Sequence, residues 1–454
     1  MAPSVKVKPG YHCSECGCTA PRWLGRCPEC QAWGTVVQAG HSAGSLRRVA
    51  AGPVSAPARP IREIDVQAAR ARPTGVAELD RVLGGGLVPG AVVLLAGEPG
   101  VGKSTLLLEV AARYAESGPQ RALIVTGEES AAQVRLRAER TGSIHDRLYL
   151  AAETDLSALL SHLDEVSPGL LVVDSVQTMS AATVDGSAGG VTQVRAVAAA
   201  LIAVAKERGI ATVLVGHVTK DGSIAGPRLL EHVVDVVLHF EGDKHSSLRL
   251  VRAVKNRYGP ADEVGCFELG DSGIVGLPDP SGLFRSQRSQ PVPGTCVTVT
   301  IEGRRPLLAE VQALAAQSTL PSPRRAVSGL DSARASMILA VLEKRAGITL
   351  AGLDVFTATV GGVRVVEPAA DLALALAVAS SQRNKALPTD LVAIGEVGLA
   401  GEIRRVNGVG RRLAEAARLG FGHALVPVDS GRVDCGLRVS VVDDVATAIR
   451  RLLG

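Results

Sequence analysis

Two groups of residues in this 454-residue chain have the types and spacing to do chemistry. Residues 97–105 read GEPGVGKST. Gly97, Gly102, Lys103 and Ser104 stand at the G-x-x-x-x-G-K-[ST] spacing that lets backbone N–H groups curl around phosphates. Glu98, Pro99, Gly100, Val101 and Thr105 complete the predicted nucleotide-binding loop. Lys103 would neutralise phosphate charge and Ser104 would ligate Mg²⁺, with the helix N-terminus adding a favourable dipole. ATP is therefore the expected ligand. A magnesium site also needs a carboxylate, and LLVVDS at 170–175 supplies Asp174 at the end of an apolar run. Hydrolysis needs a group to orient water. TGEES at 126–130 offers Glu128 or Glu129, with Glu128 nearer the strand end. The rival reading is an ordinary carboxylate at a helix start.

The second group is sulfur. Cys13-Ser-Glu-Cys16 and Cys27-Pro-Glu-Cys30 are two CxxC turns, and together they can complete a closed tetrahedral site. Structural Zn²⁺ is the expected occupant, iron in a rubredoxin-like site the alternative, and a disulfide or redox pair less fitting. So short a segment has little core, and metal binding would supply most of its folding free energy. Cys18 is a spare thiol. Cys266, Cys296 and Cys435 stand apart and read as small core residues.

Elements must position these groups. Apolar runs at 91–96, 122–126, 170–174, 211–215 and 233–240 alternate with helical patterns such as 105–116 and 191–208, which argues for a parallel sheet covered by helices. Residues 38–60 are rich in Ala, Gly, Ser and Pro without apolar period and read as a linker. A second break, SQRSQPVPG at 286–294, precedes a unit that mixes strands with long Ala/Leu helices. The expected division is a finger at 1–37, a linker at 38–60, an ATPase domain at 61–285 and a C-terminal domain at 286–454.

Composition fits that division. Apolar residues make up 46% of the chain, enough for sizeable cores, while aromatic residues make up 2%. The cores must then be Val, Leu, Ala and Ile, as in buried parallel sheets. Lys and Arg number 49 against 45 Asp and Glu, a net charge of +4. Nucleic acid could be held only by local patches. No uncharged apolar run reaches the length of a membrane span and no signal peptide is evident, so the expected setting is cytoplasmic with no membrane.

The order of motifs resembles a family. A four-cysteine finger containing WLGRCPEC is followed by TGVAELDRVLGGGLVPG (74–90), GEPGVGKST, TGEES, LLVVDS and KNRYG (255–259). This closely resembles the bacterial RadA family, also called Sms, of RecA-like DNA repair ATPases. Tyr258 departs from it, since members usually carry Phe there; the ring is kept. The resemblance implies an α/β chain: a RecA-like P-loop core, an N-terminal four-cysteine zinc finger and a C-terminal Lon-protease-like α+β domain. It implies a homo-hexameric ring that moves on single-stranded DNA and branch-migrates recombination intermediates with the RecA recombinase, on single-stranded and branched DNA. Glu128 would match the catalytic glutamate. Lys255 and Arg257 would sit near the ATP of a neighbouring subunit or near DNA; without the resemblance they read as a solvated basic strand end. The glycine-rich segments 179–193 and 217–228 would face DNA, with Lys220 and Arg228 as phosphate contacts. Neither segment holds an aromatic residue, so grip there would be sequence-tolerant and salt-sensitive. Trp23 and Trp33 are expected to pack around the metal.

The C-terminal unit resembles the proteolytic domain of Lon over 354–362, 367–381 and 394–416. Lon's Ser–Lys dyad falls on Ala369 and Gly410, so peptide hydrolysis by that dyad is chemically excluded if the alignment holds. A scaffold is expected instead, with Arg404, Arg405, Arg411 and Arg412 available to DNA or simply solvated. Two competing readings are an ATP-dependent Lon-like protease and a non-motor ATP-binding regulatory ring.

Overall fold

The computed structural model describes residues 10–38, 58–63, 66–217, 230–242, 247–283, 290–362, 364–431 and 436–454. The chain divides into two compact units, Met1–Asp65 and Val66–Gly454. The first holds a three-stranded antiparallel sheet: β1 (Tyr11–Cys13) lies between β2 (Thr19–Ala20) and β3 (Val36–Gln38). Among the described residues its core is Cys13, Ala20, Cys27 and Val36, with Tyr11, Cys18 and Leu24 packed against it. That is too little apolar surface to fold a ribbon without metal.

The second unit opens on helix α1 (Ala77–Leu83). Its large sheet contains β4 (Val92–Gly97), β5 (Ala122–Thr126), β6 (Leu148–Ala152), β7 (Leu170–Asp174), β8 (Ala211–His217), β9 (Val236–Gly242), β10 (Leu248–Asn256), β11 (Val264–Gly270) and β12 (Gly273–Gly276). The order is β12-β11-β10-β9-β4-β8-β7-β5-β6. The six strands from β9 to β6 are parallel, as expected. The remaining three, to which the sequence reading assigned no strand, are antiparallel. They follow β9 through connections of five, seven and two residues, too short for the crossover a parallel neighbour needs, and the alternation of buried and part-exposed residues in LRLVRAVKN of β10 suits a strand with one wetter face.

Helices α2 (Lys103–Ser117), α3 (Ala131–Thr141), α4 (Leu156–Val166) and α5 (Val191–Arg208) cover the parallel strands. Successive residues of β4 serve opposite faces. Val93 and Leu95 join the core under α1 and α2, while Val92, Leu94 and Ala96 join the core under α4 and α5.

A second sheet follows, built from β13 (Thr295–Glu302), β14 (Arg305–Gln317), β15 (Arg325–Ser328), β16 (Leu353–Thr359), β17 (Leu391–Ala393), β20 (His423–Pro427) and β21 (Arg438–Val442); β18 (Glu396–Val397) and β19 (Ile403–Arg404) form a short pair beside it. Helices α6 (Ser332–Ala346), α7 (Asp371–Gln382), α8 (Val409–Arg418) and α9 (Val445–Leu453) pack with it. α7, DLALALAVASSQ, is buried from Asp371 through Ser380, as expected for a helix apolar on every side. Both sheets belong to one compact unit, because ion pairs such as Arg305–Glu78 and Arg252–Glu302 cross the expected break near 286.

Candidate ATP and zinc sites

The nucleotide loop sits at the carboxyl end of β4, where open α/β sheets bind ligands. Glycine is required at two positions. A Cβ on Gly97 would come within 2.4 Å of the Phe240 carbonyl oxygen, and Gly102 adopts φ +109°. Glu98, Pro99 and Gly100 form the exposed tip, Val101 is buried, and Ser104 and Thr105 are half-buried at the start of α2. Lys103 is 3% exposed. Its Nζ donates to the carbonyls of Gly97 (2.9 Å) and Glu98 (2.8 Å), and burial brings its ammonium down to about 8. Arg249 of β10 braces the loop by donating from Nε to the Val101 carbonyl at 3.0 Å.

Two more strand ends converge on Lys103. Asp174 closes β7, is buried, and lies beside the Ser104 hydroxyl; burial, assisted by the charge of Glu128, raises its carboxyl above the ordinary range. Asp174 Oδ1 is buried with no hydrogen-bond partner among the described residues. Glu128 follows β5, where Thr126 Oγ1 accepts from the amides of Glu128 and Glu129 at 3.3 Å each. Glu128 Oε1 accepts from Ser175 Oγ (2.6 Å) and lies 2.9 Å from Nε2 of His217, the last residue of β8. Glu128, Asp174 and His217 each offer a ligand atom within 4.8 Å of the others. Glu129 turns away and is ion-paired with Arg137 of α3, whose start carries a Ser130–Gln133 capping box. A buried, unpartnered carboxylate oxygen beside a hydroxyl fits the hard-oxygen donor set of Mg²⁺. Ser104 and Asp174 would hold that ion, which would supply charge neutralisation on the β- and γ-phosphate oxygens.

In the ribbon, Cys13, Cys16, Cys27 and Cys30 bring their sulfurs within 4.8 Å of one another. Cys13 and Cys30 are 3.7 Å apart and Cys16 and Cys27 3.5 Å. Tetrahedral Zn–S bonds of about 2.3 Å set S···S near ~3.8 Å, so the four fit. Hydrogen bonding, first of all with the Thr35 hydroxyl, brings the Cys13 thiol down to about 6. Cys18 lies outside the four and hydrogen-bonds the Thr19 carbonyl. The tryptophans do not pack around the metal: Trp23 is 62% and Trp33 75% exposed, since the ribbon interior is filled by the sulfurs and a few small side chains.

The structure does not bring Lys255 and Arg257 to their own chain's P-loop. β9 runs parallel to β4, pairing Phe240 with Gly97 at one end and Val236 with Val93 at the other. β10 runs back along β9, so Lys255 pairs with Val237 and Asn256 with Val236. At about 3.3 Å per residue this places the motif one strand length, roughly 13 Å, from the P-loop end. Lys255 Nζ donates to the carbonyls of Glu231 (2.9 Å), His232 (3.3 Å) and Val234 (2.8 Å), and Arg257 pairs with buried Asp235 at 3.1 Å. Lys220, Arg228 and Cys435 lie outside the described residues. Segment 179–193 is described, and Gln193 fastens it through Ala181, Val184 and Gly186.

Comparison with known proteins now bears on this arrangement. Residues 11–38 match a rubredoxin metal binding domain, 57–223 an AAA domain and 362–430 the subunit ChlI of Mg-chelatase. The chain is 59% identical to the DNA repair protein RadA of Mycolicibacterium smegmatis over 98% of this chain and 97% of that one. This chain belongs to the RadA family of DNA repair proteins. RadA of Mycobacterium tuberculosis is 57% identical (98% and 93% covered) and RadA of Streptococcus pyogenes 45% (93% and 93%).

In this RadA-family chain, then, a zinc-binding four-cysteine ribbon and a RecA-type ATPase domain precede a ChlI/Lon-like domain. In that last domain Ala369 is buried and Gly410 lies on α8. Arg412 is not available to DNA: it is buried, donates to the Val299 carbonyl and forms a two-pronged ion pair with Glu367. Arg404 pairs with Glu402. Sequence reasoning missed Ser175, His217 and Arg249. The first two had a signal, since each stands at a strand end beside a quoted motif. Arg249 had none, being 148 positions from the carbonyl it holds. Among the described residues no helix is long and apolar enough to cross a membrane.

Proposed function

We propose that this chain is a DNA-dependent ATPase that moves on single-stranded DNA and branch-migrates recombination intermediates together with RecA, working as a homo-hexamer. The observation that carries the hydrolytic part is the convergence of Lys103, Ser104, Asp174 and Glu128 on one rim of the parallel sheet. Lys103 meets the phosphates, Ser104 and Asp174 hold Mg²⁺, and Glu128 orients the attacking water, with Ser175 and His217 fixing its carboxylate. Glu129 is the weaker candidate because Arg137 already engages it. The placement of Lys255 and Arg257 away from their own P-loop supports a role at a neighbouring subunit or on DNA. Membership of a DNA repair family supports the DNA part.

Proteolysis is not part of this reading, because a methyl at Ala369 and no side chain at Gly410 leave neither nucleophile nor base. The deciding experiment measures ATP hydrolysis and strand-branch migration with and without single-stranded DNA and RecA. DNA-stimulated hydrolysis and migration are expected. Hydrolysis indifferent to DNA would overturn the motor reading.

A further inference from the structure

We propose that the N-terminal ribbon is itself a single-stranded DNA site, in which Trp23 and Trp33 stack on bases and Arg22 and Arg26 meet phosphates. This rests on the DNA-processing reading above and adds to it a contact made by the ribbon.

The placement of the rings is the first ground. Aromatic residues are scarce in this chain, and both tryptophans are on the ribbon. They are exposed at 62% and 75%. A large apolar ring left in water gains nothing for the fold, whereas burying it against another flat apolar surface is strongly favourable. The two indoles are held close together. A Cβ placed on Gly25 would meet a ring atom of each at 3.7 Å, so the rings flank a residue that has no side chain to part them. Backbone contacts fix this arrangement: Gly34 N donates to the Gly25 carbonyl at 2.8 Å, and Arg26 and Trp33 are antiparallel bridge partners.

Charge is the second ground and selects the partner. Arg22 and Arg26 are both exposed beside the rings. The Arg26 guanidinium lies 5.8 Å from the centroid of Trp33, and its Nε is fixed by the Gln31 carbonyl at 2.8 Å. The two carboxylates of the described ribbon, Glu15 and Glu29, are inside the CxxC turns instead. In the sequence, residues 1–65 hold eight Lys and Arg against four Asp and Glu, an excess equal to the +4 of the whole chain. Exposed rings interleaved with arginine are the chemistry that binds unpaired bases and their backbone, and a duplex offers no free base faces.

The test uses the full-length, zinc-loaded protein. Because both tryptophans lie on the ribbon, intrinsic tryptophan emission reports this surface alone. Oligo(dT) is expected to quench that emission saturably, while an abasic phosphodiester oligomer of equal length leaves it unchanged. By anisotropy of labelled oligo(dT), Trp23→Ala and Trp33→Ala should each weaken binding about 5- to 150-fold, and the double Trp→Phe variant should retain most of it. Zinc content is measured for every variant; if an alanine variant loses zinc, the wild-type quenching decides. Oligo(dT) binding with unchanged emission overturns this inference and leaves the DNA-motor reading standing. An emission change caused by RecA but not by oligo(dT) also overturns it, in favour of a protein-docking face. Absence of DNA binding by either readout overturns both.

Discussion

Arg305, the first residue of β14, is ion-paired with Glu78 of α1 across 227 positions of chain. Both are buried and both are saturated. Glu78 Oε2 also accepts from the Cys266 amide at 2.9 Å, and Arg305 donates to the carbonyls of Val264, Leu277 and Pro278. The pair joins the C-terminal sheet to the helix that leads into the P-loop strand. Arg305→Met leaves an uncompensated buried carboxylate and should cost about 3–5 kcal/mol. Adding Glu78→Gln should recover part of that loss. Urea unfolding of both variants measures it.

Lys103→Ala should abolish ATP turnover, because the γ-phosphate charge loses its compensation. Normal hydrolysis by this variant would remove the P-loop assignment.

The same lysine sets a pH dependence. Burial brings it to about 8, and its protonated form is the one that meets phosphate. ATP affinity should therefore be full below pH 8 and fall as pH rises through that value, by up to about tenfold per unit. Lys103→Arg should flatten the profile, as arginine stays charged throughout. Nucleotide titrations between pH 6.5 and 9.5 make the comparison.

Glu128→Gln should lower turnover roughly 100- to 10,000-fold while nucleotide binding persists. Glu129→Gln should lose only an outlying ion pair with Arg137 and stay near the parent rate. Equal losses in the two variants would reject the assignment of roles.

Cys27→Ser should release zinc and loosen the ribbon, since four thiolates close the site and little else fills it. Basal ATPase should be spared, and metal analysis beside hydrolysis rates checks both. Unchanged zinc content would sink the four-ligand arrangement.

The sequence was most readable where chemistry is local. Apolar runs ending in Gly97, Thr126 and Asp174 announced parallel strands, and the groups at their ends do meet. CxxC spacing likewise announced the ribbon, because four sulfurs separated by short turns have few ways to converge. Readability failed where partners are distant in sequence. Arg412 resembles a solvated helix start until Glu367, 45 positions earlier, is seen beneath it. Arg249 within β10 drew no notice, because the Val101 carbonyl it holds lies 148 positions away. Trp23 and Trp33 were misjudged because the usual link between large rings and interiors presumes an interior big enough to take them.

The placement of P-loop and KNR motif beside opposite ends of β9 has a consequence for mixed assemblies. On the proposed reading, each catalytic centre takes its P-loop from one chain and its Lys255 and Arg257 from the next. A Lys103→Ala chain would still lend its neighbour an intact KNR, and an Arg257→Ala chain would still lend an intact P-loop. Two preparations that are each inert should therefore complement one another when co-assembled, with hydrolysis returning at the interfaces that inherit both sound halves.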